Sequence, residues 1–204
     1  LTAMKLVAVS AGLGKPSSTR LLADRLSEAT RKQLEPDQPV ETRVIELRDL
    51  ARDIANNMVT GFPSPALSEA IEAVTGADGV IAVTPIFTAS YSGLFKSFFD
   101  VIDHTALAGK PVLVGATGGT ARHSLALEHA LRPMFAYLRA VVAPTAVYAA
   151  SEDWGTGTGS QGDDLATRVT RAGGELAGLM RHGRTTGGVA EAVPFEERLA
   201  ALRL

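Results

Sequence analysis

The chain predicts an α/β fold in which one parallel sheet of five strands is covered by helices on both faces. Three observations carry this reading. Short apolar runs alternate with stretches of helical periodicity from the N-terminus to residue 181, the pattern that builds parallel sheets through right-handed crossovers. The clearest of these runs are apolar throughout rather than alternately polar, as strands buried on both faces are. Polar or glycine-rich loops follow the first, third and fourth strands, and such sheets bind ligands beyond those ends.

Taken in order, residues 5–10 (KLVAVS) read as the first strand. A helix follows, with Leu22, Leu26 and Ala29 spaced i, i+4, i+7, and Pro36 and Pro39 end it. Residues 42–47 form the second strand through Val44, Ile45 and Leu47, whereas 48–58 show no clear period and stay unassigned. The break GFPSP at 61–65 leads to a helix over 66–75, and GVIAVT at 79–84 is the clearest strand, ending at Pro85. After a loop over 86–92, Leu94, Phe95, Phe98, Phe99 and Ile102 make one helical core stripe. Residues 112–116 are the fourth strand, 117–120 a loop, and 123–138 a helix that Pro133 should kink or split. The fifth strand spans 140–150. A glycine-rich segment over 151–162 reads as a mobile loop, and 163–181 return to helix. Residues 1–184 are expected to form one domain. The hinge at 185–188 and the amphipathic segment carrying Phe195, Leu199 and Leu202 (185–204 in all) belong to that domain or to an oligomer contact.

Composition narrows the function. With 204 residues, 46% of them hydrophobic, the chain can build one substantial core. It has no cysteine, so disulfides, thiolate zinc sites and cysteine nucleophiles are excluded, and redox chemistry must come from a bound cofactor. A net charge of −2 gives no basic footprint for nucleic acid and sits badly with a strongly acidic electron carrier. There is no apolar run of about 20 residues and no signal-like N-terminus, so a cytoplasmic protein without a membrane segment is expected. No Ser-His-Asp arrangement or metal-ligand spacing occurs, and neither a catalytic side chain nor a metal site is assigned.

Where the first strand runs into AGLGKPSST and opens a helix, free backbone N–H groups and the positive helix end would meet a phosphate. Ser10, Ser17, Ser18 and Thr19 add hydroxyls there; alternatively Ser17 or Ser18 is simply an N-cap. A P-loop is rejected, because Pro16 stands where a metal-binding Ser or Thr is required. A dinucleotide fingerprint over 12–17 is weak, with Ser17 for its third glycine and Glu46 too far downstream to hold a ribose.

The stretch 85–100 reads P-x-F-x-x-S-x-x-G-x-x-K-x-x-x-D, from Pro85 through Phe87, Tyr91's neighbour Ser90, Gly93 and Lys96 to Asp100. It resembles the signature of the NADPH-dependent FMN reductases, and the resemblance extends from Leu6 to about Ala150. It implies a flavodoxin-like three-layer fold with strand order 2-1-3-4-5 and a reduction of FMN by NADPH or NADH, hydride passing from nicotinamide C4 to flavin N5. The FMN phosphate would lie on Ser10, Ser17, Ser18 and Thr19. The isoalloxazine would lie on Pro85, Ile86, Phe87 and Thr88, with Thr117, Gly118 and Gly119 against the same ring system. Two departures stand out: the family's Gly-Ser-x-Arg opening is absent, leaving Lys15 or Arg20 to supply charge, and Phe87 replaces a frequent tyrosine. The segment SAGLGKPSSTRLLADRL resembles an actinobacterial subgroup that accompanies luciferase-like flavin monooxygenases, a functional partner. A homodimer or homotetramer is implied, with Phe98 or Phe99 partly in the contact. A quinone or azo reductase on the same scaffold and a flavodoxin-type electron carrier are the rival readings.

Several other residues keep more than one reading. Arg122 and His123 meet an NADPH phosphate or face solvent. Trp154 covers the flavin, packs at a subunit contact or anchors the surface. Lys96 and Asp100 are an i, i+4 pair that need be no more than an exposed ion pair.

Overall fold

The computed structural model describes residues 2–35, 38–155 and 164–183. The central strands are β1 (Met4–Ser10), β2 (Val40–Glu46), β3 (Gly79–Phe87) and β5 (Pro111–Gly118). At the far edge lie the short β6 (Val141–Val142) and β7 (Val147–Ala150), and β4 (Ser90–Tyr91) pairs only with the end of β3. All pairings are parallel except β3 with β4. Counting β6 and β7 as one interrupted strand and setting β4 aside, the order is 2-1-3-4-5, the order that the family resemblance implies.

Side-chain alternation divides the core into two layers. Val7, Val9, Val80, Ala82, Val112 and Val114 meet Ile54, Leu67, Val74, Phe95, Phe98 and Phe135 on one face. Leu6, Ala8, Ile81, Val83 and Leu113 meet Leu22, Leu26, Val169, Leu176 and Met180 on the other. The first layer is closed by α2 (Ala51–Thr60), α3 (Pro65–Thr75), α4 (Gly93–Asp100) and α5 (Arg132–Tyr137), the second by α1 (Ser18–Leu34) and α6 (Leu165–Gly183). No helix among the described residues is long and apolar enough to cross a membrane.

Five local expectations are corrected. The second strand begins at Val40, and Leu47 already opens a 3-10 turn that leads into α2, through the segment left unassigned. That helix buries only Ile54 and Asn57, too narrow a stripe to read from sequence. Pro85 does not end β3, which continues to Phe87. Pairing with β1 stops at Val83 while Pro85 is still in register with Thr117 of β5, so the missing N–H breaks no bond to β1. The presumed loop over 86–92 is a tight hairpin, Ile86 opposite Tyr91 and Phe87 opposite Ser90.

The predicted helix over 123–138 is split, as Pro133 suggested. A 3-10 turn at Ala121–His123 precedes a π-helical turn at Leu127–Leu131 and then α5. The Arg132 N–H reaches Leu127 O, one residue wider than an α-turn. The fifth strand breaks around Pro144. There Arg132 donates to Ala143 O (3.0 Å) and Pro144 O (3.0 Å), and the Glu175 carboxylate accepts from Thr145 N (2.6 Å) and Oγ1 (2.8 Å). Residues 151–154 are an anchored 3-10 turn rather than the start of a mobile loop. The rest of that expectation, and the C-terminal segment 185–204, lie outside the described residues.

Candidate active site

Beyond the carboxyl ends of β1, β3, β5 and β7 lies one cleft of about 520 Å³, within the size range of small-molecule sites. The β1–α1 connection supplies Gly12, Leu13, Gly14, Pro16, Ser17, Ser18 and Thr19. The end of β3 supplies Pro85, Ile86 and Phe87, the end of β5 Thr117, Gly118 and Gly119, and the turn after β7 Ser151 and Trp154. Nine of the eleven residues singled out from sequence therefore share one cavity. Ser10 and Thr88 do not line it. Ser10 is the last residue of β1 and by alternation falls on the Leu6/Ala8 face beneath α1; it is 1% exposed and its Oγ has no hydrogen-bond partner among the described residues. Thr88 is the exposed tip of the hairpin.

The cradle at the start of α1 is built by short-range contacts. Ser17 is the N-cap, its Oγ accepting from Arg20 N at 3.1 Å, so the capping reading of Ser17 holds while Ser17 also lines the cleft. Ser18 and Thr19 in the first turn keep N–H groups without intrahelical acceptors, and no acidic side chain occupies that turn, so the positive helix end faces the cleft uncompensated. Gly12 is tightly packed: a Cβ there would lie 2.0 Å from Ser17 Oγ, which would have to rotate away, and 3.0 Å from Thr19 Cβ. A buried hydrogen bond of 2.8 Å between Thr19 Oγ1 and Thr117 Oγ1 ties this loop to the end of β5.

The opposite wall is set by Thr84, whose Oγ1 donates to Pro85 O (2.9 Å) and accepts from Ser92 N (3.0 Å). Ser92 in turn caps α4 through Phe95 N. Thr88 (φ 49°) and Ala89 (φ 67°) turn the hairpin in the left-handed region, a conformation that Asn and Gly adopt far more readily. Phe87 stands at the rim, 46% exposed. Gly118 and Gly119 differ in what they face. A Cβ on Gly118 would lie 2.1 Å from the Tyr148 hydroxyl, whereas one on Gly119 meets nothing within 4 Å. That hydroxyl donates to Thr120 O at 2.8 Å, and burial pushes its pKa up.

Among the described residues, no charged side chain lines the cleft. Lys15 and Arg20, expected to supply charge, lie instead on the outer side of the loop, in a separate recess with Glu46 and Arg48. Arg20 pairs with Asp24 (2.8 Å) and Glu46 (3.5 Å). Arg48 pairs with Glu46 (2.9 Å) and donates to Gly14 O (2.5 Å), clamping the loop from behind. Nothing in the sequence pointed to Arg48, since its contact spans 34 residues. Gly12 and Gly14 were visible only within the phosphate-loop stretch and a weak dinucleotide fingerprint, and Ser151 carried no signal. Arg122 and His123 are exposed and do not line the cleft. Lys96 and Asp100 form a 2.5 Å pair beside a different groove, and the bond to Asp100 raises the Lys96 pKa.

A neutral set of hydroxyls and backbone donors at a helix start, joined to an apolar slot bounded by Ile86, Phe87 and Gly119, fits a flat heterocycle carrying a phosphate. Residues 4–155 match the profile of the family described as NADPH-dependent FMN reductase. The chain belongs to the NADPH-dependent FMN reductase family. It is an oxidoreductase of that class, and its strand order with helices on both faces is the flavodoxin-like fold. An FMN reductase (NADPH) from Pseudomonas aeruginosa is 39% identical over 150 residues, 74% of this chain and 78% of the relative. The NADH-dependent FMN reductase SfnF from Pseudomonas fluorescens is 38% identical over 151 residues, 74% and 79%. Among solved structures, an oxidoreductase from Corynebacterium diphtheriae is 45% identical with a TM-score of 0.84, covering 88% of this chain and 98% of its own.

Proposed function

We propose that this protein catalyses the NAD(P)H-dependent reduction of FMN, taking the flavin as an exchangeable substrate and supplying it reduced to a luciferase-like flavin monooxygenase in the cytoplasm. The carrying observation is the cleft itself, in which the loops after β1, β3 and β5 converge with no charged side chain among the described residues that line it. A phosphate held by hydroxyls and N–H dipoles alone lacks the bidentate arginine bonds that are about twice as strong as neutral ones, which favours release. The chemistry that bound FMN supplies is two-electron acceptance from a reduced nicotinamide.

The chain's own part is positioning. Ser17, Ser18 and Thr19 hold the phosphate, and the Thr19–Thr117 bond fixes the distance between the phosphate end and the ring end. Pro85, Ile86 and Phe87 meet the ring edge, and Gly119 leaves space for close approach. No side chain has to give or take a proton for hydride transfer between aligned rings, so orientation supplies the rate. We further propose a homodimer or homotetramer, supported by the groove that Phe99, Ile102, Met134 and Leu138 line beside Tyr137, which is 77% exposed.

Steady-state oxidation of NADPH and NADH with FMN, riboflavin and a quinone as acceptors tests the proposal. Saturable turnover of added FMN by protein that loses its flavin on gel filtration is expected. Tightly retained flavin with turnover of quinone alone would overturn it in favour of the quinone reductase reading.

A further inference from the structure

Trp154, the one tryptophan of the chain, lines the cleft together with Ser151 and with Ser17, Ser18 and Thr19. Its position is fixed from two sides. The Arg25 guanidinium lies 5.0 Å from the ring centroid in a cation–π contact. Arg25 is on α1, seven residues past Ser18 and hence about 10 Å along the helix, so the indole rests against the N-terminal half of the helix whose end opens into the cleft. The turn that carries it is tied down by Asp153, whose carboxylate accepts from Ala150 N (2.7 Å) and from Arg168 Nη2 (2.8 Å). Arg168 Nη1 also donates to Tyr148 O (2.5 Å). The ring is half-buried against the α1/α6 layer.

The Trp154 side chain makes no hydrogen bond within the described residues, so its indole N–H, a group that can only donate, is unspent beside a cleft whose described lining holds no cation. Resting on the flavin reading above, we propose that the Trp154 N–H donates to the phosphate of bound FMN, opposite the Ser17–Thr19 cradle, with Arg25 holding the ring in place and setting a positive charge behind it. The residue is then a binding residue that separates phosphorylated flavins from riboflavin.

The test compares FMN with riboflavin, by calorimetry, on the full chain and on Trp154→Phe, which keeps an aromatic face for Arg25 and loses the N–H. Loss of a donor to a charged acceptor should weaken FMN about tenfold and leave riboflavin within about twofold. Equal weakening of both flavins, or of neither, would overturn the inference. Should the variant fold poorly, the unmodified protein still decides. Its one indole cross-peak in a ¹H–¹⁵N spectrum should move downfield with FMN and not with riboflavin, and the same displacement with both would refute the phosphate contact. If neither flavin binds the unmodified chain, the flavin reading itself falls and the inference with it.

Discussion

The tightest constraint in the cleft is between Gly12 and Ser17, and it can be measured as a coupling. A methyl at position 12 would sit 2.0 Å from Ser17 Oγ, 3.0 Å from Thr19 Cβ and 3.2 Å from Ser17 Cβ. Thr19 cannot easily yield, because its hydroxyl is bonded to Thr117, so Ser17 must rotate away and give up the cap on Arg20 N. Losing a serine cap costs about 1 kcal/mol, and overpacking adds about 1 to 3, so Gly12→Ala should cost about 2 to 4 kcal/mol. Ser17→Ala alone should cost about 1. In the Ser17→Ala background the worst contact no longer exists and the cap has already gone. The double variant should therefore be more stable than the sum of the singles predicts, by about 1 to 2 kcal/mol. The entropy that alanine removes from the unfolded chain is the same in both backgrounds and cancels. Urea unfolding of the four flavin-free proteins, read as ΔG from midpoint and slope, measures the cycle. Additivity within about 0.5 kcal/mol would refute the steric account of the loop.

Gly119→Ala should leave Tm unchanged, since nothing lies within 4 Å, yet raise the KM for FMN at least about fivefold by filling space against the ring; Gly118→Ala should lower Tm through Tyr148, and Tyr148→Phe should largely restore it. Changing Thr88 to Asn and Ala89 to Gly together relieves two left-handed residues and should stabilise by about 1 to 2 kcal/mol, read as a higher Tm; an unchanged or lower value would contradict the strained hairpin. Lys110 donates to Ala77 O, and burial lowers its pKa from 10.5. The folded chain thus binds that proton less tightly than the unfolded one, and stability rises with pH in the interval below 10.5. The stability of Lys110→Met relative to the unmodified protein should accordingly fall as pH rises toward that value, and a difference independent of pH would contradict the assignment.

Strands β1, β3 and β5 were legible because burial on both faces leaves an unbroken apolar run, and α4 because three phenylalanines fall on one stripe. The cleft was legible as three loops, since sheet topology brings the ends of adjacent parallel strands together. Features set by distant partners were not. Pro85 reads as a strand end until the ladder with Thr117 is known, and the hairpin after it lacks the Asn-Gly signal that normally announces one. Ser10 looks like part of the phosphate loop in one dimension, yet strand alternation turns it under α1. Arg48 reaches the loop only through the fold, which also puts Trp154 at the cleft among the three places the sequence left open for it, and the neutral lining emerged because Arg20 is spent on Asp24 and Glu46.

Anaerobic stopped-flow mixing of the FMN-loaded protein with NADPH and, separately, NADH tests the central claim most directly. The account predicts rapid bleaching of the flavin's visible absorbance by at least one donor, followed by loss of the reduced flavin from the protein on dilution. Flavin that stays oxidised in the presence of both donors would contradict it and leave the carrier reading in its place.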